Sequence, residues 1–144
     1  MRRWLCFCVG LLLLAGFAPD AVSAQQGTSD RRIGFQLKGS DPTPFDPGTT
    51  IAFELGEQLF RDGQSAVVSI RILNMLQQVV AVPTALDHPK GFVLVNNLKY
   101  TEPGEKKAWW NGTDRKGRKV AAGIYYYQLV VNGKAAPVMR MVVK

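Results

Sequence analysis

Period-two alternation constrains this chain more than any other feature. Apolar residues recur at every second position in one segment after another, and glycine, proline or asparagine ends each segment. Ile33, Phe35 and Leu37 open the series, which breaks at Gly39-Ser40-Asp41-Pro42-Thr43-Pro44. Ile51, Phe53 and Leu55 alternate with Ala52 and Glu54, and Ala66, Val68, Ile70 and Ile72 with Val67, Ser69 and Arg71. Residues 79–82 read as a short strand stopped by Pro83, and residues 92–95 as another after the breaker His88-Pro89-Lys90-Gly91. Ala108 and Trp110 share one face of a later strand, with Lys107 and Trp109 on the other. Tyr125, Tyr127, Leu129 and Val131 line one face of the next, and Asn132-Gly133 predicts a hairpin into a final strand over residues 136–143. Successive side chains of a strand point to opposite faces, so such segments suit half-buried sheets. Residues 73–82 tempt a helical reading, but Asn74 and the Val-Val-Ala-Val-Pro that follows favour a turn into a strand. The pattern of about seven to eight short strands predicts an all-β sandwich or barrel, with the sandwich preferred.

The amino terminus reads as an address. Arg2 and Arg3 precede an apolar run over residues 4–18, followed by Val22-Ser23-Ala24, the order of a secretory signal. The run falls short of the roughly 20 residues that span a bilayer, so no transmembrane segment is expected once the signal is removed. The expected organisation is a signal at 1–24, a flexible leader with a first strand at 25–40, and the sandwich at 41–144. An extracytoplasmic location follows, whether periplasmic, surface-associated or secreted. Cys6 and Cys8 both fall in the signal, so the domain is expected to hold neither a disulfide nor a cysteine-based zinc site. The 144-residue chain carries a formal charge of +7, and loss of Arg2, Arg3 and Asp20 with the signal would leave +6.

Much of that charge gathers between residues 105 and 119, where Lys106, Lys107, Arg115, Lys116, Arg118 and Lys119 face only Glu105 and Asp114. With Trp109 and Tyr126, the two aromatics expected to be exposed, Lys116, Arg118 and Lys119 form a candidate surface for anionic glycan or lipopolysaccharide. A solvated turn whose lysines shield a sheet edge explains the same residues. Secretion argues against a nucleic-acid partner. Trp110 is expected in the core with Tyr125 and Tyr127 packed against it, their hydroxyls reaching backbone. Asn111, Gly112, Asp114 and Gly117 read as a tight turn, in preference to Asn111-Gly112-Thr113 as a glycosylation acceptor, and Gly123 as the start of the next strand. His88, the only histidine, reads as a surface loop residue. Asp41, Asp46 and Asp114 read as turn carboxylates and not calcium ligands, and Glu54 with Glu57 recruits no partner. No nucleophile–base set appears, so neither enzyme chemistry, metal nor cofactor is expected.

Two stretches resemble a known family. Pro44-Phe45-Asp46-Pro47-Gly48-Thr49-Thr50-Ile51-Ala52-Phe53-Glu54-Leu55 is similar to its opening pattern, and Pro103-Gly104-Glu105, Trp110 to Asp114 and Gly117-Arg118, followed by Val120 to Leu129, to its closing one. Residues 68–80 and 140–144 match its middle and terminal segments. The family is the immunoglobulin-like domain of the flagellar hook-capping protein, shared with carboxy-terminal sorting modules of type IX secretion cargo. The resemblance implies an immunoglobulin-like β-sandwich of about seven to eight antiparallel strands in which Phe45 and Pro47 are structural, and a non-catalytic interaction or assembly module with an envelope or surface protein as partner. Its edge strands and residues 83–101, longer than the family's usual connection, are the expected contact surfaces. Gln77 stands where the family usually has glycine. In the family the domain trails a cargo or sits inside an assembly factor; this chain reads as the domain with its signal alone, so neither role is expected to transfer intact.

Overall fold

The computed structural model describes residues 34–144; the expected signal, Ile33 and most of the leader lie outside the described residues. In chain order the strands are β1 (Phe35–Asp41), β2 (Thr49–Leu55), β3 (Ala66–Leu73), β4 (Val79–Ala81), β5 (Thr84–Ala85), β6 (Leu98–Tyr100), β7 (Gly104–Trp110), β8 (Gly123–Val131), β9 (Lys134–Ala135) and β10 (Met139–Val143), with a 3₁₀ segment at Glu57–Gly63. They form two antiparallel sheets, β1-β2-β7-β5 and β10-β8-β3-β4, with β6 added to β3 and β9 to β8. The fold is an all-β sandwich.

Alternation decides which residues meet between the sheets. Ile51, Phe53 and Leu55 of β2 and Ala108 and Trp110 of β7 face Val68, Ile70 and Ile72 of β3 and Tyr125, Tyr127, Leu129 and Val131 of β8, all buried. Tyr127 and Leu129 are among the largest fully enclosed side chains. The tyrosine hydroxyls reach backbone as expected: Tyr125 donates to the Ala121 carbonyl at 2.9 Å and Tyr127 to that of Lys38 at 3.3 Å.

Several elements differ from their sequence reading. β1 continues through Gly39 to Asp41, because these residues precede the prolines and a register shift between Leu37 and Ser40 absorbs the irregularity. Residues 92–95 form no strand: Leu94 makes one bridge to Thr84, and Val95 is buried while Phe92 is 79% exposed. The last strand is split. Asn132 and Gly133, at φ 49° and 79°, make the hairpin and give β9; the chain then breaks at Pro137, which has no N–H to donate, and resumes as β10. Gln77 adopts φ 58°, the left-handed geometry a glycine favours, in a turn held by the Asn74 side-chain oxygen, which accepts from the Leu76 and Gln78 amides.

His88 is not a surface residue. It is buried edge-on against Tyr100 at 4.9 Å, its Nε2 2.9 Å from the Lys99 carbonyl, while its Nδ1 accepts from the Lys90 amide. A breaker sequence hides this, since the turn folds back onto β6. Tyr100 also meets Phe53 edge-on, and burial pushes its phenol up to about 12. The neutral phenol is therefore favoured in the folded state, so this contribution is complete below pH ~10 and is lost as pH rises through about 12, amounting to at most about 3 kcal/mol. Denaturant midpoints measured across that range should fall for the wild type and fall less steeply in Tyr100→Phe, where Tyr127, also raised by burial, still titrates.

Candidate functional site

The outward-facing positions of the second sheet form the first candidate surface. Arg71 alternates with buried Ile70 and Ile72, Tyr126 and Gln128 with buried Tyr125, Tyr127 and Leu129, and Arg140 pairs with Tyr126 across β10. The turn after β3 brings Met75 and Leu76 to the rim, 69% and 78% exposed, and Val138 precedes β10. Arg71, Leu73, Met75, Gln77, Val79, Tyr126, Gln128 and Val138 together line a groove of about 420 Å³. No carboxylate stands on these strands β3, β4, β8 or β10, while Arg71 and Arg140 do.

A second concavity, about 570 Å³, lies where the chain crosses from β4 to β5 and so from one sheet to the other. Trp109 reaches it from the outer face of the first sheet and Arg71 from that of the second. Leu94, Asn96, Asn111, Asp114 and Arg115 also line it. The turn following Trp110 shapes its floor. Asn111 Oδ1 accepts from the Thr113 amide and hydroxyl, the Arg115 amide bonds the Val80 carbonyl, and Trp110 Nε1 donates to the Thr113 carbonyl at 2.9 Å. Asp114 closes the turn by accepting from the amides of Lys116 and Arg118 and pairing with the Arg118 guanidinium at 2.8 Å.

These bonds, the Arg118 amide first among them, hold the Asp114 carboxyl below the usual carboxylate range. A depressed folded value means that the turn gains stability above pH ~4 and loses it as pH falls through that value. The Arg118 amide resonance should follow this acid transition, and Asp114→Asn should remove it. Elsewhere Lys38 bridges Glu54 and Glu105 at 3.0 and 2.9 Å, which raises the ammonium and lowers Glu105.

The five expected binding residues do not come together. Trp109 and Tyr126 face out from different sheets, one at each concavity. Lys116, Arg118 and Lys119 lie on the turn and line neither groove; Arg118 is engaged by Asp114 and Lys119 by Asp46 at 3.3 Å. Arg115 of the same turn, counted in the basic cluster but not among the expected binding residues, does line the Trp109 concavity, as does Arg71, which the alternation placed only as an outward-facing strand residue. Only the crossing of β4 into β5 reveals that pairing, and one sequence does not show where a crossing falls. The structural residues do cluster: Phe45 packs on Trp110 edge-on at 5.3 Å, Tyr125 on its other side at 5.8 Å, and Gly112 lies against the Pro47 carbonyl. The expected edges are largely covered. Phe45 bridges β10 through hydrogen bonds to Val142 and Lys144, Arg115 bonds β4, and Leu94 bridges β5. Among the described residues no helix is long and apolar enough to cross a membrane.

No protein-family model matches the chain, and no curated protein does. Among solved structures, dimeric latent PorU from Porphyromonas gingivalis is 23% identical with a TM-score of 0.52, over 76% of this chain and 9% of its own. PorZ, a surface component of the type IX secretion system of the same bacterium, is 18% identical with a TM-score of 0.43, over 82% of this chain and 12% of its own. The Pseudomonas fluorescens alkylpurine DNA glycosylase AlkC is 12% identical with a TM-score of 0.46, over 77% and 30%. The chain thus spans a small part of each of these proteins, and what it shares with PorU is the fold.

Proposed function

We propose that the chain is an extracytoplasmic, non-catalytic immunoglobulin-like module for protein interaction or assembly in the cell envelope or at the cell surface. The observation that carries this reading is the outer face of the second sheet. Exposed Met75 and Val138 and half-buried Tyr126 line a groove there, exposed Leu76 follows Met75 in the same turn, and Arg71 and Arg140 stand on strands that carry no carboxylate. Contiguous apolar surface rimmed by polar groups is the mark of an interaction site, and the uncompensated arginines suit a protein partner whose apolar contacts are ringed by Asp and Glu. The signal pattern, the resemblance to the hook-capping and sorting-module family and the fold shared with PorU all support this setting.

The test is native fractionation. Wild-type protein extracted gently from its own envelope should elute as an assembly larger than the monomer. Tyr126→Asp with Val138→Asp should return it to the monomer position while its melt stays cooperative. Wild-type protein that elutes as free monomer would overturn the reading.

A further inference from the structure

We propose that the Trp109 concavity is a binding site for an anionic saccharide, a sugar bearing carboxylate, sulfate or phosphate. This concavity shares Arg71 and Val79 with the protein-docking groove, but Tyr126 and Val138, the docking positions altered above, do not line it.

Four kinds of group converge there. The Trp109 ring, 37% exposed and lying across Gly48, offers a flat apolar surface of the kind on which the C–H face of a sugar rests. Two guanidinium groups, Arg71 and Arg115, line the same space, and among the described residues neither has a carboxylate within 4 Å. Arginine presents a planar fork of donors that matches a carboxylate, sulfate or phosphate. Residues able to read hydroxyls complete the lining: Thr84, Asn96 and Asn111, whose side-chain oxygen is engaged by Thr113, which leaves its amide nitrogen as the group able to donate. The carboxylate present, Asp114, is turned into its own loop and neutralised by Arg118. A volume of about 570 Å³ falls within the range of about 300–1,000 Å³ typical of small-ligand clefts.

The lining sets this site apart from a diffuse basic patch. Lys116, Arg118 and Lys119 contribute most of the turn's formal charge but do not line the concavity, and two of them are already paired. Selectivity for an anionic sugar therefore depends on Arg71 and Arg115.

The experiment is a tryptophan-fluorescence and calorimetric titration of the intact protein with a heparin-derived disaccharide, a digalacturonate and a neutral disaccharide. Saturable binding of at least one anionic sugar, ten-fold or more above the neutral one, is expected. Arg115→Gln should weaken it about ten-fold, and Arg71→Gln with Arg115→Gln should erase the preference for charge. Trp109→Phe should retain part of the affinity that Trp109→Ala loses, which separates loss of the ring from loss of the fold. Replacing Lys116, Arg118 and Lys119 together by alanine should leave binding within about two-fold. The site is overturned if no anionic sugar saturates, if the arginine variants bind like wild type, or if the triple alanine variant abolishes binding. Tyr126→Asp with Val138→Asp should bind sugar normally, so failure of the docking reading and failure of this one are distinguishable.

Discussion

Trp110→Ala is expected to destabilise the domain by about 3–5 kcal/mol, a large part of the roughly 5–15 kcal/mol that holds a domain of this size together. The indole is buried, packs against the rings of Phe45 and Tyr125, and donates its N–H to the Thr113 carbonyl. Truncation would leave a cavity between the sheets and strip a donor from the turn that follows. The thermal midpoint should fall by roughly 10–20 °C, or the melt should lose its cooperativity. Trp109→Ala, one residue earlier on the opposite face of β7, provides the control. Its ring is partly in solvent, so the loss should be only about 1 kcal/mol. Equal effects at the two positions would show that β7 is not oriented as described.

The second large effect is expected at Gly112. Its φ of +74° costs an alanine about 1–2 kcal/mol, and an added Cβ would come within 2.8 Å of the Pro47 carbonyl oxygen, which is backbone and cannot turn aside. Together these should cost about 2–4 kcal/mol. Gly117 shares the positive φ, +76°, but has open space around it, so Gly117→Ala isolates the conformational part at about 1–2 kcal/mol. Chemical denaturation of both variants gives the difference. If they lose the same stability, the contact between this turn and the Phe45-Asp46-Pro47 segment is not tight.

The sandwich was legible because alternation is a local property. Ala108 and Trp110 against Trp109, or Tyr125 and Tyr127 against Tyr126, sort to faces by parity alone, whichever strands lie beside them. The Asn132-Gly133 hairpin is equally local. His88 and the span of residues 92–95 were misread because their environment is set by strands distant in sequence: β6 returns over His88, and Thr84 takes the one bridge that Leu94 makes. The same limit governs the candidate site. Trp109 was identified as an exposed aromatic, but its partners Arg71 and Arg115 come from β3 and from the turn beyond β7, and a cluster of charges in sequence drew attention to lysines that the fold places elsewhere. Parity reports which face a residue takes and not which residues share a hollow.

The loop that carries Phe45 onto β10 has a consequence for how the molecule can grow. A β-sandwich ordinarily offers four rims where a foreign backbone can extend a ladder. Here one rim is occupied by Phe45, a second by the Arg115 turn and a third, only two residues long, by Leu94. The rims that remain are β1, whose register slips between Leu37 and Ser40, and the outer sides of β6 and β9, only three and two residues long. A stranger's strand therefore finds only short or irregular ladders to copy, and filament formation by strand addition is disfavoured. Higher-order association must be written in side chains, on surfaces that can be altered one residue at a time without touching the ladder beneath.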